Sequence, residues 1–231
     1  MEQVLRAGTP SGARKFVSEG LGTALLLAVV IGSGIMAARL SGGNIAIALL
    51  ANALATGAGL VVLILLFGPI SGAHFNPVVS LVLMLRGEMQ AREVPMYLAA
   101  QLLGAIGGAC IAHLMFDLPV LQTSTTIRDG TGQWFAEGVA TFGLILVVIG
   151  CARQSPQAVP YAVGLYITAA YWFTASTSFA NPAVTLGRVF TDTFAGIAPQ
   201  SAPEFMVAQL LGGLLAYHVA ELLWPRVAET P

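Results

Sequence analysis

The sequence predicts an all-α membrane protein: six transmembrane helices plus two re-entrant half-helices, built as an inverted repeat of two three-helix units. Three observations carry that prediction. Charged residues make up 9 % of the chain and apolar residues, glycine not counted, 56 %, where a soluble domain has about 25 % charged residues. Six stretches are apolar over about 20 residues, the length that crosses a bilayer. The second half of the chain repeats the distinctive residues of the first in the same order. At a mean hydropathy of +0.81 over 231 residues, a soluble fold could not hide its apolar surface. A soluble enzyme, a nucleic-acid binder and a disordered chain are thereby excluded.

The first apolar stretch, 16–38, follows a polar tail (1–15) carrying Arg6, Arg14 and Lys15. It is too long for a signal-peptide core and reads as a retained span. Stretches 45–67, 95–116, 134–152, 160–179 and 204–224 follow, and a short tail, 226–231, closes the chain. Breakers such as Ser41-Gly42-Gly43-Asn44 and Gln154-Ser155-Pro156-Gln157 set the stretches apart. They are rich in Gly and Ala, which let bundled helices approach closely. Residues 16–225 read as one domain, with repeat one over about 16–116 and repeat two over about 134–225. Two apolar segments, 68–87 and 176–197, are left over and too short to cross. With the N-terminus inside, seven basic residues (Arg6, Arg14, Lys15, Arg86, Arg92, Arg153, Arg226) fall inside and three (Arg39, Arg128, Arg188) outside. Both termini are therefore expected in the cytoplasm.

The repeat rests on three ordered matches. Phe16-Val17-Ser18-Glu19-Gly20 with Thr23 parallels Phe135-Ala136-Glu137-Gly138 with Thr141. Ser71-Gly72-Ala73-His74-Phe75-Asn76-Pro77-Val78 parallels Ser176-Thr177-Ser178-Phe179-Ala180-Asn181-Pro182-Ala183. Ala100-Gln101-Leu102-Leu103-Gly104 parallels Ala208-Gln209-Leu210-Leu211-Gly212. A unit of three spans inverts its copy, and a site between such halves belongs at the midplane.

Asn is a strong N-cap and Pro fits the first helical position, so each Asn-Pro box starts a helix. The run after each box is about half a membrane long, at 1.5 Å per residue. Irregular backbone at that depth must line a cavity or be buried in protein. Gly72, Ala73, His74 and Phe75, and Thr177, Ser178, Phe179 and Ala180, would then offer a row of carbonyl acceptors. Asn76 and Asn181 would offer amide donors. Two facing helix N-termini, each worth about half a positive charge, repel cations. Such a site suits water or a neutral hydroxylated solute.

Over about residues 14–225 the chain resembles the aquaporin and aquaglyceroporin family (major intrinsic proteins), with Asn76-Pro77-Val78 and Asn181-Pro182-Ala183 as its paired boxes. Val78 departs from the Ala usual there. The resemblance implies a multi-pass protein of the cell (inner) membrane, a homotetramer with one pore per subunit, and buried Glu19 and Glu137 holding the carbonyl-bearing loops. Its partners would be the lipid bilayer, water and small neutral solutes, with no cofactor, metal, catalytic residue or nucleic acid. The resemblance also places a selectivity filter at Thr56, Ala169, Ser178 and Val184. None of these is aromatic and Val184 stands where an arginine is usual, which implies a wide filter. Water, glycerol and neutral metalloid acids such as arsenite are the expected solutes. A bacterial subgroup linked to arsenic resistance looks similar here, including Thr191-Asp192-Thr193-Phe194-Ala195-Gly196.

Arg188 lies four residues after Val184, one turn on, on the same face. It is either a displaced filter arginine, which would narrow the pore toward water, or a residue that faces a loop or pairs with Asp192. Tyr166 and Tyr171 are expected in the core or at a subunit contact. Trp134, Trp172 and Trp224 suit interfacial anchors. A coupled carrier would want intramembrane charges along its path, and only Glu19, Glu137 and Glu221 offer them. No nucleophile or metal-ligand motif lies in a span, which argues against an intramembrane enzyme. A junction-forming scaffold would want long outer loops, and only 117–133 has any length.

Overall fold

The computed structural model describes residues 10–225; Arg6, Arg226 and the rest of both tails lie outside the described residues. Eight α-helices and no strands are present among them: α1 (Gly12–Leu40), α2 (Ile45–Ser71), α3 (Pro77–Leu85), α4 (Val94–Met115), α5 (Thr131–Gln154), α6 (Val159–Phe173), α7 (Pro182–Val189) and α8 (Ala202–Leu223). The first helix starts a turn earlier than residue 16, because the Ser11 hydroxyl caps it by accepting from the Arg14 amide. The second runs through Pro69 and stops only where Gly72 takes φ 87°, a left-handed turn natural to glycine.

Five helices, α1, α2, α4, α5 and α8, are long and apolar enough to cross a membrane. The fifth of the six expected spans, 160–179, ends earlier than expected. α6 has 15 residues and stops at Phe173, so its helix reaches about 22 Å, short of the roughly 30 Å of hydrocarbon. The chain from Thr174 to Ala180 is irregular instead and leads into the half-helix α7.

The repeat is visible in the packing. α1 lies on α4 and α5 on α8, while α2 and α6 pack against each other between the halves. Each half-helix is wedged between the repeats, α3 against α4 and α8, α7 against α8 and α4. Glycine makes two of these approaches possible. A Cβ on Gly104 would run into the Gly20 carbonyl, and one on Gly212 into the Gly138 carbonyl. These contacts seat Gln101 beside Glu19 and Gln209 beside Glu137. Gly212→Val therefore forces α5 and α8 apart, an over-packing penalty of about 3 kcal/mol. A lower thermal midpoint in detergent, with less monodisperse protein recovered, is the expected outcome.

Candidate functional site

The two Asn-Pro boxes meet head to head. Asn76 caps α3, its Oδ1 accepting from the Val78 amide at 2.9 Å, and Asn181 caps α7, accepting from Ala183 and Val184 at 2.9 and 3.3 Å. Each side-chain amide then crosses to the other loop: Asn76 Nδ2 donates to the Ala180 carbonyl at 2.8 Å and Asn181 Nδ2 to the Phe75 carbonyl at 2.7 Å. One hydrogen of each amide is used in this exchange, and the second is left for the cavity that both asparagines line. The carbonyls of Phe75 and Ala180, expected in the row of pore acceptors, are thus engaged by the opposite asparagine.

Pro77, Val78, Pro182 and Ala183 are buried behind the cavity rather than lining it. Val78 fits because it faces Gly213, where a Cβ would collide with its Cγ1. The repeat-related pair is Ala183 and Ala105, so the extra volume at one box is offset by a smaller residue opposite.

The loops before the boxes have strained backbone, and two carboxylates bind their amides. Gly72, Ala73 and Phe75 have φ of 87°, 52° and 49°, and the matching Thr177, Ser178 and Ala180 have 63°, 51° and 49°. Five of these six are not glycine, and such backbone persists only where its surroundings enforce it. Glu19, fully buried, accepts from the His74 and Phe75 amides at 3.0 and 2.8 Å, from the Ser71 hydroxyl at 2.6 Å and from Gln101 at 2.8 Å. Glu137, equally buried, accepts from the Phe179 and Ala180 amides at 2.8 Å each and from Gln209 at 2.7 Å. The two glutamines close the circuit. Gln101 also donates to Ser80 at 3.0 Å and Gln209 to Thr185 at 2.9 Å. Those hydroxyls donate back to the carbonyls of Asn76 and Asn181 at 3.3 and 2.9 Å. Gln101, Gln209, Ser80 and Thr185 thus join a buried hydrogen-bond network behind the boxes, beyond the site residues that the sequence singles out. Their signal was the repeat itself, since all four occupy matched positions.

A single cavity runs past the boxes. Of the expected filter, Thr56, Ser178 and Val184 line it and Ala169 does not. Ala169 is exposed on the outer face of α6. Val163, Ile167 and Tyr171 form the inner face at steps of four residues, and a residue two positions from Ile167 points the other way. Tyr171 takes its place in the cavity, its hydroxyl 3.2 Å from that of Thr56. Tyr171 belongs to the core, as expected, and lines the cavity as well, so a buried aromatic stands beside Thr56, Ser178 and Val184. Tyr166 does lie in the packing, donating to the Ala140 carbonyl at 3.1 Å. Gly72, Ala73, His74, Phe75 and Phe179 also line the cavity, whereas Thr177 and Ala180 do not. The His74 ring sits 3.0 Å from Ser80 Oγ and packs on Tyr97.

Arg188 lines the same cavity and is only 2 % exposed. The inverted repeat explains why: Val79 and Leu83 on α3 match Val184 and Arg188 on α7, and all four face the lumen. Its Nε donates to the Ala195 carbonyl, its guanidinium lies 3.4 Å from the centre of the Phe179 ring, and Nη1 is buried without a partner. The alternative pairing with Asp192 is absent. That carboxylate accepts instead from the amide and hydroxyl of Thr125 at 2.8 and 2.9 Å, which hold it below its ordinary pKa. A second arginine comes from the long loop. Arg128 donates to the Gly196 carbonyl at 2.8 Å and lies 5.3 Å from the same Phe179 ring, with burial pulling its pKa down. Nothing in the spacing of the sequence marks it.

The model of the family described as "Major intrinsic protein" matches residues 6–159. An aquaglyceroporin, AqpS, of Rhizobium meliloti (strain 1021) is 57 % identical over 203 residues, covering 88 % of this chain and 87 % of its own. A glycerol uptake facilitator protein of Bacillus subtilis (strain 168) is 32 % identical over 168 residues, 63 % of this chain and 61 % of its own. The X-ray structure of the aquaglyceroporin from Plasmodium falciparum superposes with a TM-score of 0.74 at 25 % identity, over 93 % of this chain and 98 % of that one.

Proposed function

The chain belongs to the major intrinsic protein family, and on that premise we propose that it conducts water and small uncharged hydroxylated solutes such as glycerol, passively, through the cavity between its repeats. It is an integral membrane protein and a channel, not an enzyme. The observation that carries the solute class is the crossed pair of asparagine amides. They present two fixed donors at one level, and the positive ends of α3 and α7 stand behind them, a combination that favours oxygen acceptors and opposes cations. The names of the relatives point the same way, to glycerol. Neutral metalloid acids such as arsenite, being uncharged and hydroxylated, extend the class.

In this reading Asn76 and Asn181 position the solute and Glu19 and Glu137 hold the carbonyl loops. Thr56, Tyr171, Ser178, Val184 and Arg188 form the filter. One domain over 16–225 makes one pore, assembled as a homotetramer in the inner membrane with both termini cytoplasmic. The basic residues Arg14, Lys15, Arg86, Arg92 and Arg153 on one side support that orientation. A second reading, a water-selective pore, is favoured by one observation: Tyr171 and Arg188 both project into the cavity. Stopped-flow light scattering of the protein in liposomes separates them. Glycerol and water permeability both well above those of empty liposomes, and indifferent to a pH gradient, is the expected result. Water flux without glycerol flux selects the water-only pore.

A further inference from the structure

Arg188, on the cavity wall, has a second cation beside it in Arg128, and no acid among the described residues forms an ion pair with either. The Nε atoms of Arg188 and Arg128 donate to consecutive carbonyls, Ala195 and Gly196, so the loop itself brings the two side chains together. Both guanidiniums lie over one ring, with Cζ 3.4 and 5.3 Å from the centre of Phe179. Stacking on a ring face fixes the plane of a guanidinium and leaves its N–H edge for a ligand.

Glu137 is the acid whose charge reaches them, and no carboxylate among the described residues forms an ion pair with them. The ion pairs among the described residues are Lys15–Glu93, Arg86–Glu88 and Arg86–Glu221, none of which involves these arginines. Glu137 is saturated by two backbone amides and Gln209. Asp192 is held by Thr125, and Asp129, next to Arg128 in sequence, is exposed. Meanwhile Arg188 Nη1 and the Ser178 hydroxyl, both at the cavity wall, are buried with no partner. A buried cation with an unpartnered N–H and no ion pair is costly unless something with oxygen acceptors meets it.

We infer that this part of the cavity is a binding site for a small inorganic oxyanion, held by Arg188 and Arg128 with Ser178, and that an oxyanion bound there obstructs the passage of uncharged solutes. This rests on the channel reading. Paired planar forks are the donor geometry that matches phosphate or sulfate oxygens, and a spherical halide gains less from it. The anion stops there because the cavity beyond is walled by Leu26, Val30, Leu60 and Ile167, which cannot replace its water.

The test uses the full chain in liposomes, with glycerol uptake timed in sodium phosphate or sulfate and in sodium chloride of equal ionic strength. Phosphate applied from the Arg188 face is expected to slow uptake saturably, by about fivefold near saturation, and chloride is not. Arg128→Gln is expected to weaken the apparent phosphate affinity by about tenfold or more, because one charge-assisted contact is lost. Arg128→Lys, which keeps the charge without the fork, is expected to fall between. Phosphate should also raise the thermal midpoint of the detergent-solubilised protein, and less so for Arg128→Gln. Absence of glycerol flux in chloride would contradict the channel reading alone, since the thermal shift still reports the anion site. A thermal midpoint that phosphate does not move overturns the proposal, as does equal inhibition of wild type and Arg128→Gln. A phosphate-carried current shows passage rather than obstruction and overturns it as well.

Discussion

Glu137→Leu is expected to lower glycerol and water flux at least about tenfold while leaving a folded helical protein. The substitution keeps the volume but takes the acceptor away from the Phe179 and Ala180 amides and from Gln209. Each orphaned buried N–H costs about 1–3 kcal/mol. The backbone at Thr177, Ser178 and Ala180, already at positive φ, has nothing left to hold it there and relaxes. Asn76 then loses its partner, because its amide donates to the Ala180 carbonyl. The damage therefore spreads from one carboxylate to the crossed asparagines of both repeats. Glu137→Gln keeps one acceptor but turns N–H toward N–H, and an intermediate loss is expected. Glu19→Leu should do the same from the other side, where four donors lose their acceptor. Stopped-flow permeability, with circular dichroism to verify the fold, reads all three. Wild-type flux through Glu137→Leu would show that the loops are held by something else.

What was legible in the sequence was whatever one residue decides by its own chemistry. Asn before Pro announces a capped half-helix, and both boxes start helices at Pro77 and Pro182. A glutamate repeated inside two apolar spans needs donors, and the donors lie in the loops that it was expected to hold. The filter positions implied by the family resemblance are less secure, because they assume a regular backbone between α6 and Asn181, whereas α6 ends at Phe173 and the residues after it include positive φ angles. The inward face of α6 therefore carries Tyr171 rather than Ala169. The packing of Arg188 depends on Ala195 and Phe179, which lie on opposite sides of it in sequence, and Arg128 reaches the same ring from a separate loop. Contacts assembled from three segments leave no spacing to read. Gln101 and Gln209 were visible as markers of the repeat, but their bonds to Glu19 and Glu137 exist only once the glycine contacts bring the helices together.

Arg188→Ala is expected to raise the ratio of glycerol to water permeability by about tenfold, a barrier change of about 1.4 kcal/mol. The side chain lines the same cavity as the paired hydroxyls of Thr56 and Tyr171. Its removal widens the passage for a three-carbon solute while water, already small enough, gains little. Larger polyols excluded by the wild type should begin to enter. Because the guanidinium also adds charge to the helix ends, the variant is expected to leak small cations. Val184→Arg works in the opposite direction, placing a second guanidinium one turn nearer the asparagines, and should suppress glycerol while sparing water. A ratio unchanged in both variants would mean that the narrowest point lies elsewhere along the cavity.

Solutes are expected to cross this protein uncharged and unaided. This is tested most directly by recording glycerol uptake and ionic current on the same protein preparation, reconstituted in liposomes and in a voltage-clamped bilayer. Rapid glycerol equilibration that responds only to the glycerol gradient is expected, with no current above the bare lipid at any voltage. A current that grows with protein content, or glycerol uptake that tracks membrane potential or a proton gradient, would contradict it.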